Sequence, residues 1–172
     1  NFLLYKYTKS ANIDVILTLL ALAGGSLGIF IFIVLFDRKS VKENMMSRVF
    51  IICVLIIQII AMLFIKGFRG EEINIAFWEF FGRNKILMIY LGIINVITFL
   101  AFAIDKLHAI KGKRRIRIIT LLGLAFVGGS AGALLGMYTL RHKTKVDYFT
   151  VGVPLIMIMQ AVVVFFVMNI RG

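Results

Sequence analysis

Apolar residues run along this chain in long blocks separated by short basic stretches, not at the three-to-four spacing of a soluble amphipathic helix. In the C-terminal half the blocks are 86–107, 118–140 and 149–170. In the N-terminal half they are 15–36 and 49–65, preceded by an apolar stub at 1–5. Blocks of about 20 residues match the roughly 30 Å hydrocarbon layer of a bilayer at about 1.5 Å rise per residue. Helix is the form such blocks must take, because a lipid-exposed backbone has to satisfy its own hydrogen bonds. The pattern predicts an all-α integral membrane protein. The opening residues Asn1 to Tyr5 read as the tail of an entering helix whose start is missing, with no cleavable signal pattern.

The blocks repeat. Gly24-Gly25-Ser26-Leu27-Gly28 and Gly128-Gly129-Ser130-Ala131-Gly132 lie 104 residues apart, and at the same offset Asp37-Arg38-Lys39-Ser40 falls on Arg141-His142-Lys143-Thr144. A glycine cluster followed at fixed distance by a basic tetrapeptide points to duplication. The expected organisation is a first membrane repeat over 1–65, an interfacial amphipathic linker over 66–85 and a second repeat over 86–172. The linker carries Glu71, Glu72 and Glu79 among Phe77, Trp78, Phe80 and Phe81, a mixture suited to the headgroup level. Pro154, the only proline, predicts a local kink near the start of the last helix.

Each repeat contains a block broken by glycines, and this block has two readings. The 23 residues between Arg117 and Arg141 could cross the layer once, as a helix of about 35 Å. Gly128, Gly132 and Gly136 would then form a small-residue stripe for close packing. Alternatively, both broken blocks turn back at Gly-Gly-Ser as re-entrant hairpins, with Gly24, Gly25, Gly28, Gly128, Gly129 and Gly132 making the breaks. If both cross, the 20 Lys and Arg residues divide 11 to 9 between the two faces; if both turn back, they divide 15 to 5. The positive-inside rule favours the second division, with the basic loops cytoplasmic. The straight alternative gives an inverted-topology repeat, as in many secondary transporters.

Charge and cysteine content add little to this picture. A net charge of +12 would suggest nucleic acid in a soluble protein, but basic loops flanking apolar spans are what anionic lipid headgroups select, and no nucleic-acid partner is expected. The single cysteine, Cys53, lies inside an apolar block and excludes an intrachain disulfide.

Asp105-Lys106, Arg115-Ile116, the glycine cluster 128–132 and Arg141-His142-Lys143-Thr144-Lys145 together resemble the small bacterial and archaeal membrane proteins grouped as domain of unknown function 1294. The resemblance covers about residues 86–167, and the first half looks like a diverged copy, with Tyr5-Lys6 in place of Asp-Lys and Arg38 in place of the histidine. It implies a bacterial or archaeal plasma-membrane protein and brings no activity with it.

No set of residues in the sequence assembles into an active site. Ser26 and Ser130 lack the other members of a catalytic triad, and His108 and His142 lack companions at metal-ligand spacing. No enzyme, metal or cofactor is therefore expected. No Asp, Glu, Lys, Arg or His lies in the middle of an apolar block, where proton and ion pathways usually place one. Asp105 and Lys106 admit two readings, a polar anchor for the hairpin base (with Arg115 or His142) or an exposed interfacial pair worth little; the sequence favours the exposed pair. In a re-entrant hairpin the second half-helix would begin near Ser130 with its amide groups pointing inward. Arg114, Arg115, Arg117, Arg141, His142, Lys143 and Lys145 would then form a basic collar suited to an anion or headgroup. The reading that follows is a membrane protein binding or passing a small anionic solute or lipid headgroup. The alternative is a non-catalytic subunit or assembly factor that docks partner helices or a second copy of itself.

Overall fold

The structure, a computed structural model, describes residues 24–28, 30–31, 45–67 and 76–170. Among these residues the chain is helical and contains no strand. The elements in order are α1 (Met45–Gly67), α2 (Phe77–Arg83), α3 (Lys85–Ile110), α4 (Ile118–Leu124), a π-type turn (Ala125–Gly129), α5 (Ser130–Thr139), α6 (Asp147–Thr150) and α7 (Gly152–Ile170). Four stretches are long and apolar enough to cross a membrane by length and composition: Arg48–Lys66, Lys85–Ile110, Ile118–Thr139 and Asp147–Asn169. The stub at 1–5, most of the block at 15–36 and the basic segment around Arg38 lie outside the described residues.

The last helix begins late for a covalent reason. Pro154 has no N–H to offer the carbonyl of Thr150, and the helix is interrupted at Val151, between α6 and α7. Ahead of α3, in α2, Phe80 turns inward, edge-on to Phe81 at 5.6 Å, and Trp78 stays 87% exposed.

The core lies where α1, α3, α4, α5 and α7 converge, and includes Cys53, Phe102, Leu121, Ala133, Met137, Phe149, Val153 and Ile156. Phe102 and Phe149 meet edge-to-face at 5.6 Å, tying α3 to α6. The outward side of α3 is apolar as well, with Ile86, Ile89, Ile93, Val96, Leu100 and Leu107 exposed. Water would penalise such a surface and hydrocarbon would not.

Helices α5 and α3 approach each other closely. A Cβ added to Gly132 would lie 2.1 Å from the carbonyl oxygen of Asn95, and one added to Gly136 would lie 2.9 Å from Cβ of Phe102. Gly129 is equally constrained, 2.0 Å from Oγ1 of Thr98. The glycines let the two backbones approach, as small residues do between membrane helices. Gly92, on α3, has nothing within 4 Å of its notional Cβ. Gly132→Ala is therefore expected to destabilise the fold by about 3 kcal/mol, the upper range for overpacking against rigid backbone. Gly92→Ala should be neutral or stabilising by up to about 1 kcal/mol, from helix propensity alone. Reversible unfolding in mixed micelles compares the two.

Candidate functional site

The break between α4 and α5 is made at Gly128, whose φ of 124° and ψ of −2° are strained for any residue with a side chain. A broken helix leaves carbonyl groups without intrahelical donors on one side and N–H groups without acceptors on the other. Here side chains from the neighbouring helices meet them. Gln160 of α7 donates its amide to the carbonyls of Ala125 (2.7 Å) and Phe126 (2.9 Å). Tyr90 of α3 donates its hydroxyl to the carbonyl of Val127 at 2.7 Å. Asn95 of α3 reaches across the break, donating Nδ2 to the carbonyl of Gly128 (3.0 Å) and accepting the N–H of Gly132 on Oδ1 (2.6 Å). Ser130 donates its hydroxyl to Oε1 of Gln160 at 2.5 Å.

The first glycine cluster shares two of these features. Gly24 has a φ of 103°, and the hydroxyl of Ser26 donates to Oε1 of Gln58 on α1.

A second polar centre lies where the two segments flanking α4 and α5 meet. Asp105, fully buried near the end of α3, accepts the backbone N–H of Ile116 on Oδ1 at 2.8 Å. Its other oxygen takes Nζ of Lys143 at 2.7 Å and Nε2 of His142 at 2.9 Å. Lys106 donates Nζ to the carbonyl of Leu140, the capping residue of α5. Lys143 also lies over the Phe149 ring, 4.6 Å from its centre. Burial pushes the Lys143 ammonium below the usual lysine range, Asp105 opposes that shift, and the nearby charge of Arg115 adds to it.

The backbone at the end of α5 is shaped to deliver these cations. The N–H of His142 bonds the carbonyl of Met137 (3.0 Å) and that of Arg141 bonds Tyr138 (3.3 Å), the paired closure of a Schellman turn. Glycine usually occupies the left-handed position of that turn. Here Arg141 does, with φ 46°, and Lys143 is left-handed too, with φ 60°. Non-glycine residues hold such angles at about 1–2 kcal/mol each.

These positions revise several expectations. Asp105 is not an exposed interfacial pair: with no solvent exposure it holds three donors, and Lys106 bonds the end of α5 instead of pairing with it. Ser130 does not sit with the cations, because it lies at the glycine break against Gln160, and its hydroxyl is occupied there. Arg114, Arg115, Arg117, Arg141 and Lys145 are exposed, as are Lys111 and Lys113, whereas His142 and Lys143 are turned onto Asp105. Asn95, Gln160 and Tyr90 were missed. Asn95 and Gln160 could have been found as amides in the middle of apolar spans, where a polar side chain needs a partner.

Comparison with known proteins comes to the same segment. The profile of a family described as Protein of unknown function (DUF1294) matches residues 95–149. That stretch contains Asn95, Asp105, the glycine break and His142-Lys143. An uncharacterized protein YsdA of Bacillus subtilis (strain 168) is 42% identical over 79 residues, covering 46% of this chain and 89% of that protein. No solved structure matches.

Removing the carboxylate tests its weight. Asp105→Ala is expected to cost about 3 kcal/mol, because it strands a half-buried lysine and the Ile116 amide. Lys143→Ala in the same background should recover part of that loss. Unfolding midpoints of the two single variants and the double variant measure the coupling, and strict additivity would show that the pair does not interact.

Proposed function

The chain belongs to the DUF1294 family of proteins of unknown function, and on that footing we propose that it is an integral membrane protein whose broken segment is a re-entrant hairpin and whose basic face binds anionic lipid headgroups. The hairpin reading is supported by the meeting at Asp105. A straight helix from 116 to 143 would part its ends by about 40 Å, yet Ile116, His142 and Lys143 all reach one carboxylate. The notional Cβ of Gly128 lies among Tyr90, Leu91 and Ile94, some 11–15 residues back along α3 from Asp105. That is a depth of about 20 Å, part-way through a bilayer.

One observation carries the headgroup reading. Around the hairpin base Lys111, Lys113, Arg114, Arg115, Arg117, Arg141 and Lys145 are exposed. The acids in 105–147 are Asp105, already taken by His142 and Lys143, and the exposed Asp147. A field of unneutralised guanidinium and ammonium groups at a membrane face attracts phosphate-bearing lipid. The break itself is a poorer anion site, because Asn95 already accepts the Gly132 N–H. Docking of partner helices on the glycine stripe is disfavoured for a similar reason: Gly132 and Gly136 are spent on α3.

The first half is read as a diverged copy of the second. The positive φ at Gly24 and Gly128 and the Ser26–Gln58 and Ser130–Gln160 bonds support this, being separated by 104 and by 104 and 102 residues respectively.

Two experiments test these readings. Cysteines placed singly at Ile110 and Thr144 should react with an impermeant maleimide from the same side of an oriented membrane; reaction from opposite sides ends the hairpin. In native mass spectrometry the protein should retain phosphatidylglycerol over phosphatidylcholine. The variant Arg114→Ala/Arg115→Ala/Arg117→Ala should bind phosphatidylglycerol roughly 100-fold more weakly, at about 1 kcal/mol per cation. Equal retention of both lipids, or no effect of the substitutions, would sink the headgroup reading.

A further inference from the structure

Helices α1 and α7 lie side by side, and their contacts have a register. Val49 Cγ1 is 3.5 Å from the position a Cβ would take on Gly152, and the rings of Phe64 and Phe165 are 5.9 Å apart. Low numbers meet low and high meet high, so the two helices run parallel. The meeting positions are 103 and 101 residues apart, bracketing the 102 that separates Gln58 from Gln160. Burial follows the same spacing. Ile51 and Val153 are buried at 6% and 0%, and Val54 and Ile156 at 6% and 1%, each pair again 102 apart.

Parallel helices that touch through equivalent positions are what a two-fold axis along the helices produces, because an isologous contact uses the same patch on both partners. A slip of one helical turn would put the contacts three or four residues out of step. The Bacillus subtilis relative adds an independent fact: the 79 matched residues are 89% of it but only 46% of this chain, so it is about as long as one half.

We infer that this chain is a symmetric dimer joined into one polypeptide, and that the face of α7 covered here by α1 is the face through which a half-length relative takes a second copy of itself. The inference rests on the repeat reading above and goes beyond it, since duplicated halves need not meet through equivalent helices. In this chain the interface is satisfied internally, so one chain makes the complete two-fold unit.

The test uses the full chain and the relative together. With Cys53→Ser as background, V49C/G152C should form a disulfide within one chain, and F64C/F165C should be bridged within one chain by a short bis-maleimide. Native mass spectrometry should find one chain per particle for this protein and two for YsdA. Bridges between chains in both cysteine pairs, or a single-chain YsdA particle, would overturn the inference. If the intrachain bridges form and YsdA is single, the fused-dimer inference falls while the repeat reading stands. If neither pair bridges at all, the register is absent and the fused-dimer inference falls.

Discussion

A peptide chain interrupted inside an apolar layer has to find donors and acceptors that are not water, and this requirement organises the segment around Gly128. Four successive carbonyls, Ala125 to Gly128, accept from Gln160, Tyr90 and Asn95. Left unpaired in hydrocarbon, each such group would cost several kcal/mol. The partners are neutral amides and a phenol, which carry the bonds without the far larger penalty of a buried ion. Asn95 also bonds both sides of the break at once, fixing the direction in which α5 leaves it. The close approach permitted by Gly132 brings the Asn95 backbone near enough for its side chain to do this.

Charge is handled differently at the far end of α5. His142 and Lys143 are drawn onto the fully buried carboxylate of Asp105, and the left-handed angles at Arg141 and Lys143 turn the chain so that both partners arrive. Strain of this kind persists when the surroundings over-determine it. The surroundings here are three donors on one carboxylate, a lysine across an aromatic ring and a lysine on the carbonyl of Leu140. The two polar centres thus divide the work: neutral groups serve the backbone at the break, and ions tie together the segments on either side of it.

Much of this was legible in the pattern of residues. Apolar blocks bounded by basic stretches located α1, α3 and α7 to within a few residues, and the glycine cluster marked where the broken block bends. The partners of the break were harder to see. Asn95 stands 33 residues from Gly128, and Gln160 stands 35, 34 and 30 residues from Ala125, Phe126 and Ser130, so no local spacing connects them. Asp105 was misjudged for a related reason. Beside Lys106 and near a helix end it has the local sequence of a solvated pair, and only the return of residues 142–143 to the same place buries it. Ser130 is assigned to the anion site from the inward-pointing amides expected where the second half-helix begins, although α5 holds Ser130 at one end and Arg141 to Lys145 follow the other.

The two centres also differ in what they leave unbonded. At the break the Gly132 amide is already bonded, and an anion there would have to displace Asn95 and leave its carboxamide unpaired. At the base the buried carboxylate draws in His142 and Lys143, so the arginines around it remain solvated and unneutralised. Burying one acid deeply enough to be saturated by two cations is what leaves the rest of the basic face available. The same carboxylate that closes the fold therefore leaves the basic side chains around it exposed.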